Sequence, residues 1–128
     1  MTKAVVHTDA APAGLAGYSQ AIKAGGMVYV SGMAGVDAST GKLVGPTIQE
    51  QTAQSLRNVQ TVLEAAGSSL DKVVWALWSL RHAEDFDGFN EEWARWFTHE
   101  PPARHGTQMA LPDRLSGVLI SIGVVAEA

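Results

Sequence analysis

No cysteine occurs among the 128 residues. Its absence excludes disulfides, thiolate catalysis and cysteine-ligated zinc, and fits a reducing compartment. Long hydrophobic runs are missing too. The apolar stretches Val73–Leu77 and Val118–Ile120 fall far short of the roughly 20 residues that a membrane span needs. Positive charge is scarce: Lys and Arg total nine against thirteen Asp and Glu, for a net charge of −4, and no two basic residues are adjacent. Nucleic acid is therefore a poor expected partner, because phosphate binding draws on clustered Lys and Arg. Met1–Ala16 shows no charged start followed by an apolar run, so nothing there marks export and a cytoplasmic location is expected.

Catalytic signatures are equally sparse. Gly35–Lys42 superficially resembles a phosphate loop, but five residues separate Gly35 from Gly41 and Leu43 stands where Ser or Thr would hold magnesium. His7, His82, His99 and His105 form no H-x-x-x-H or H-E-x-x-H pair, so a metal site has little support. No G-x-S-x-G elbow is present. Glu84–Asp87 and Glu91-Glu92 read as solvated helix residues rather than a catalytic carboxylate pair.

The residues that are present describe an ordinary globular chain, 46% hydrophobic and 17% charged, without repeats, charge blocks or a linker. A single domain over 1–128 is expected. Ala4–His7 is a candidate edge strand. Tyr18–Ala24, Gly25-Gly26 and Met27–Ser31 read as a β-hairpin, the glycine pair supplying the positive φ angles of a two-residue turn. Asp37–Gly41 is a second turn. Thr47 and Glu50 make a T-x-x-E capping box ahead of Leu56, Val59, Leu63 and Ala66 at helical spacing, and Gly67 stands where the helix should stop. Val73–Leu80 reads as a strand buried on both faces. Phe86, Phe89, Trp93, Trp96 and Phe97 draw one broad stripe on a helix over about 84–97, ended by Pro101-Pro102. Such a stripe ordinarily packs helix on sheet rather than stacking on a ligand. Final strands are expected near Gly106–Ala110 and Val118–Ala126. The order β-β-β-α-β-α-β-β predicts an α+β fold, one sheet with both helices on a single face. The uncovered face, itself largely apolar, predicts a symmetric oligomer.

Four strings add a further reading: Gly17-Tyr18-Ser19-Gln20-Ala21, Val30-Ser31-Gly32, Phe89-Asn90 and Pro101-Pro102-Ala103-Arg104. In this order and spacing the chain resembles the Rid/YjgF (reactive intermediate deaminase) family, with Leu43-Val44-Gly45, Glu50-Gln51-Thr52 and Ala65-Ala66-Gly67 in support. The resemblance runs from about Ala11 to Ala126. It implies a chorismate-mutase-like mixed sheet, a homotrimer with ligand pockets between subunits, and no metal or organic cofactor. It also implies hydrolysis of carboxylate-bearing imines and enamines, such as 2-aminoacrylate, to a 2-keto acid and ammonia.

By that resemblance Arg104 is the carboxylate-binding arginine, suited to it because a planar guanidinium donates two parallel hydrogen bonds; an isolated arginine is otherwise a solvated surface charge. Tyr18, Ser31 and Gly32 match pocket positions. Asn90 matches the family's helix asparagine, with a partner that is either structural or the substrate. The chain departs from the family in two places. Val118–Ala126 holds no Glu or Asp, whereas the deaminases proper place a water-holding carboxylate on this strand; Ser121 falls nearest, beyond a length change around Asp113–Gly117. Gly106 stands where the family often has Cys, Ser or Thr, which predicts a roomier, less polar pocket. His105 is a substitute base by chemistry, but strand alternation points it away from Arg104. The chain is thus expected to be a divergent deaminase in which Arg104 and Ser121 act on a small carboxylate-bearing ligand. A non-catalytic carboxylate-binding or regulatory module is the alternative. An RNA-cleaving or chaperone-like role, suggested by the family's other activities, has the charge against it.

Overall fold

A computed structural model of the chain describes residues 2–13, 16–108 and 117–128. Its elements are β1 (Ala4–Val6), β2 (Ala21–Ala24), β3 (Met27–Ala34), β4 (Val36–Asp37), β5 (Lys42–Leu43), α1 (Ile48–Ala65), β6 (Val73–Leu80), α2 (Phe86–Trp96), β7 (Ala103–Gln108) and β8 (Ile120–Glu127). Six strands make one sheet in the order β1-β2-β3-β8-β6-β7. Only β6 and β7 run parallel, joined by α2 as a crossover; the other pairs are antiparallel. The fold is α+β, with two helices packed on one mixed sheet.

Local chemistry accounts for the elements. Gly25 and Gly26 turn the β2–β3 hairpin at φ 59° and 77°, angles that a side chain tolerates poorly. Thr47 Oγ1 accepts from the Glu50 N–H at 3.1 Å and caps α1. The other end closes as a Schellman motif: Gly67 N–H donates to Glu64 O and Ser68 N–H to Leu63 O, with Gly67 at φ 83°. Lys23 Nζ reaches across from β2 to the Ala66 carbonyl at 2.9 Å, placing a cation on the negative end of the helix. Leu56, Val59, Val62 and Leu63 of α1 are wholly buried against Val28, Ile120 and Ile122 of the sheet. Each such side chain contributes about 1.5–3 kcal/mol through lost apolar surface.

The strand at 73–80 differs from expectation. Val73, Ala76 and Leu80 are buried under the helices, but Trp75 and Leu77 are 41% and 49% exposed. Both helices lie on the same side, so the other face of β6 is left open by the described residues. The last two strands are also displaced. β7 begins at Ala103 rather than Gly106, which puts Arg104 and His105 inside the strand, and β8 begins at Ile120 rather than Val118. Met109–Ser116, including the end of the expected Gly106–Ala110 strand, lie outside the described residues.

Candidate functional site

β7 stands at the end of the strand order, paired with β6 among the described residues. Its register places Arg104 beside Ala76, and Ala76 beside Val124 of β8, so the Arg104 side chain rises on the helix-covered face. There α2 meets it. The guanidinium Cζ lies 5.4 Å from the Phe89 ring centroid and 5.0 Å from that of Trp93, a cation–π arrangement. Nη2 donates to Asn90 Oδ1 at 2.5 Å. Nη1 is enclosed and has no acceptor among the described residues. Burial lowers the pKa of the group, yet an arginine keeps its charge in a protein. No carboxylate pairs with it among the described residues. The result is a partly desolvated cation held by an amide and two rings, with no counter-charge among the described residues.

Gly106, two residues on, faces the same way. The room it leaves is filled: a Cβ there would fall 2.0 Å from Cδ2 and Cε2 of Trp78, whose indole lies across the glycine. The expectation of a roomier pocket is therefore corrected. The missing side chain at 106 is replaced by a ring from the neighbouring strand. Trp78 was absent from the sequence-derived site residues. Period-two alternation puts it on the same face as Ala76 and Leu80, but only strand register puts it opposite Gly106.

The remaining positions gather elsewhere. Ser31 Oγ donates to Ser19 O at 2.6 Å and the Ser31 N–H to Gln20 O at 2.9 Å, tying the exposed loop that carries Tyr18 to β3. Gly32 abuts Ser121, where a Cβ would fall 2.6 Å from Oγ. Ser121 pairs with Ser79 on the uncovered face, in a shallow groove with Tyr29, Trp75 and Leu77. His105, beside Leu77 in the register, is exposed on that same uncovered face.

The candidate residues fall into two groups: Arg104, Asn90 and Gly106 beside α2, and Tyr18 ahead of β2 with Ser31 and Gly32 on β3 and Ser121 on β8. Arg104 and Ser121 occupy opposite faces of the sheet. β2, which follows Tyr18, is four strand spacings from β7, roughly 19 Å at ~4.8 Å each. One small molecule cannot bridge that distance within a single chain. No cluster of metal-ligating side chains occurs among the described residues, and no helix there is long and apolar enough to cross a membrane.

Fold and site together define a class: an α+β protein of one mixed sheet and two helices, with a desolvated arginine on the edge strand facing an aromatic helix. The family model described as Endoribonuclease L-PSP matches residues 8–128. A RutC family protein of Saccharolobus solfataricus is 41% identical over 125 residues, covering 98% of each chain. The 2-iminobutanoate/2-iminopropanoate deaminase of Mus musculus is 37% identical over 116 residues, which is 91% of this chain and 86% of the mouse protein. The crystal structure of RidA from an Antarctic Psychrobacter superposes with a TM-score of 0.89 at 36% identity, covering 98% of this chain and 99% of that one. The chain belongs to the Rid/YjgF family, which includes imine deaminases.

Proposed function

We propose that this protein hydrolyses small 2-imino acids to 2-oxo acids and ammonia, holding the substrate carboxylate on Arg104. The observation that carries this reading is Nη1 of a guanidinium enclosed by Phe89, Trp93 and Asn90, with neither an acceptor nor a carboxylate beside it among the described residues. The mouse relative's name specifies substrates of this class, carboxylates bearing an adjacent C=N.

The reaction asks little of the protein. Water adds to the imine carbon, and the resulting carbinolamine expels ammonia as its hydroxyl becomes the 2-oxo group. Arg104 would orient the carboxylate and so fix the imine carbon against water; such positioning is the main gain available. Tyr18, Ser31, Gly32 and Ser121 belong to the site if it is completed by a second chain. The exposed apolar face at Tyr29, Trp75 and Leu77 supports that assembly, which we take to be a homotrimer. Ser121 would hold the water by hydrogen bonding alone. General-base assistance, worth about 10²–10⁴-fold, would be forfeited.

Binding without turnover is favoured by one observation, the lack of any acid from Val118 to Ala126. RNA cleavage, named in the family description, is opposed by the net charge of −4. An assay of purified protein on freshly generated 2-iminopropanoate and 2-iminobutanoate separates these readings. Hydrolysis above the buffer rate is expected. No acceleration, with 2-oxo acids still bound, would leave the binding module.

A further inference from the structure

Two enclosed donors beside α2 have no acceptor among the described residues: Arg104 Nη1 and Trp78 Nε1. The first belongs to the site above. The second is not explained by packing alone, since a purely hydrocarbon ring could pack against Phe86 and Phe89 without a buried N–H to satisfy. Trp78 lies on the helix-covered face, opposite Gly106 on β7. Its Cε2, the carbon that bears Nε1, would be 2.0 Å from a Cβ at 106. The fused bond of the indole thus lies over Gly106, whose Cα is one strand repeat, roughly 7 Å, from that of Arg104. Phe89 joins the two, its centroid 5.1 Å from the Trp78 ring and 5.4 Å from Arg104 Cζ. The indole is rigid, anchored by tilted contacts to Phe86 and Phe89, and only a glycine at 106 permits its position.

We propose that Trp78 is a specificity-determining residue of the Arg104 site: its indole occupies the room above Gly106, and its N–H donates to a carboxylate oxygen of the bound acid. This rests on the reading of Arg104 as the carboxylate site and deepens it. Acids with short side chains are admitted; branched or longer ones meet the indole.

The test titrates the full-length protein with 2-oxobutanoate by calorimetry, and follows the assigned Trp78 indole N–H in the NMR spectrum of isotope-labelled wild type. The signal should shift on saturation. Trp78→Phe, which keeps a ring but removes the donor, should bind roughly tenfold or more weakly, as expected for one hydrogen bond to a charged acceptor. Trp78→Leu should raise the affinity for 2-oxo-4-methylpentanoate relative to 2-oxobutanoate. A Trp78 signal that stays fixed while the acid binds, or equal affinity in Trp78→Phe, overturns the donor role. An unchanged preference in Trp78→Leu overturns the space-filling role. If the variants do not fold, the wild-type signal decides. No binding of 2-oxobutanoate to wild type instead removes the carboxylate reading of Arg104, and the inference falls with it.

Discussion

Arg104 donates to Asn90 Oδ1 at 2.5 Å, joining the edge strand to the second helix. The amide satisfies one arm of the guanidinium and leaves Nη1 without an acceptor among the described residues. On the proposed reading of Arg104, Asn90 is a positioning residue that acts through it. Asn90→Ala should weaken 2-oxobutanoate binding about tenfold, the scale of a hydrogen bond to a charged group. Asn90→Asp keeps an acceptor but adds a competing negative charge, so it should bind the acid more weakly than Asn90→Ala while unfolding at a higher temperature. Calorimetry and thermal denaturation on the same samples check both parts. Stronger binding in Asn90→Asp would contradict this role.

If Arg104 holds the substrate carboxylate, its charge should serve binding at a cost in stability. A partly desolvated cation without a counter-charge among the described residues contributes little to the fold, and replacing it with an apolar group of similar length should be neutral or stabilising. Arg104→Met should hold or raise the melting temperature, yet lose about 2–5 kcal/mol of carboxylate binding. Arg104→Lys should not restore affinity, because an ammonium lacks the planar fork. A large fall in melting temperature for Arg104→Met would show the guanidinium to be structural.

Gln51 of α1 fastens the chain ahead of β8 to the helix layer. Its Nε2 donates to Gly45 O and Gly117 O, both at 2.9 Å, and its Oε1 accepts from the Leu119 N–H at 2.9 Å. The residue is buried, so Gln51→Leu leaves three backbone groups without that partner. Destabilisation of at least about 3 kcal/mol is expected at roughly 1–3 kcal/mol for each of the three groups. Urea unfolding measures it, and a change below about 1 kcal/mol would mean that water replaces the amide.

The uncovered face should control assembly. Leu77 is 49% exposed at its centre, beside Trp75 and Tyr29. Leu77→Asp places a charge where an apolar contact between copies would form, and should shift the protein to monomer in sedimentation while leaving its circular dichroism intact. If Tyr18 and Ser121 complete the site from a neighbouring chain, hydrolysis should fall with assembly. A fully active monomer would place the whole reaction within one chain.

Much of this molecule was legible in its residues. The glycine pair of the hairpin, the cap at Thr47, the Schellman glycine at 67 and the aromatic stripe of α2 are all set by contacts within a few positions along the chain. The four strings that resemble the Rid/YjgF family carried the fold further than periodicity alone. The reading of Val73–Leu80 as buried on both faces is not met within the single chain, where Trp75 and Leu77 are exposed, because an apolar run has the same pattern whether or not its own chain covers the second face. The Gly106 expectation failed because an absent side chain says nothing about which neighbour takes its place.

By itself the sequence determined the local elements, the absence of cysteine chemistry, and the presence of an arginine after Pro101-Pro102. Only the tertiary structure decided which groups meet: Arg104 with Phe89, Trp93 and Asn90, Trp78 with Gly106, and Ser121 on the opposite face. The reason is register. Side chains alternate along a strand, and a slip of one residue in the β6–β7 pairing would send Arg104 to the other side of the sheet. That pairing is set by the packing of α2 and the whole core beneath it, which no short stretch of residues contains.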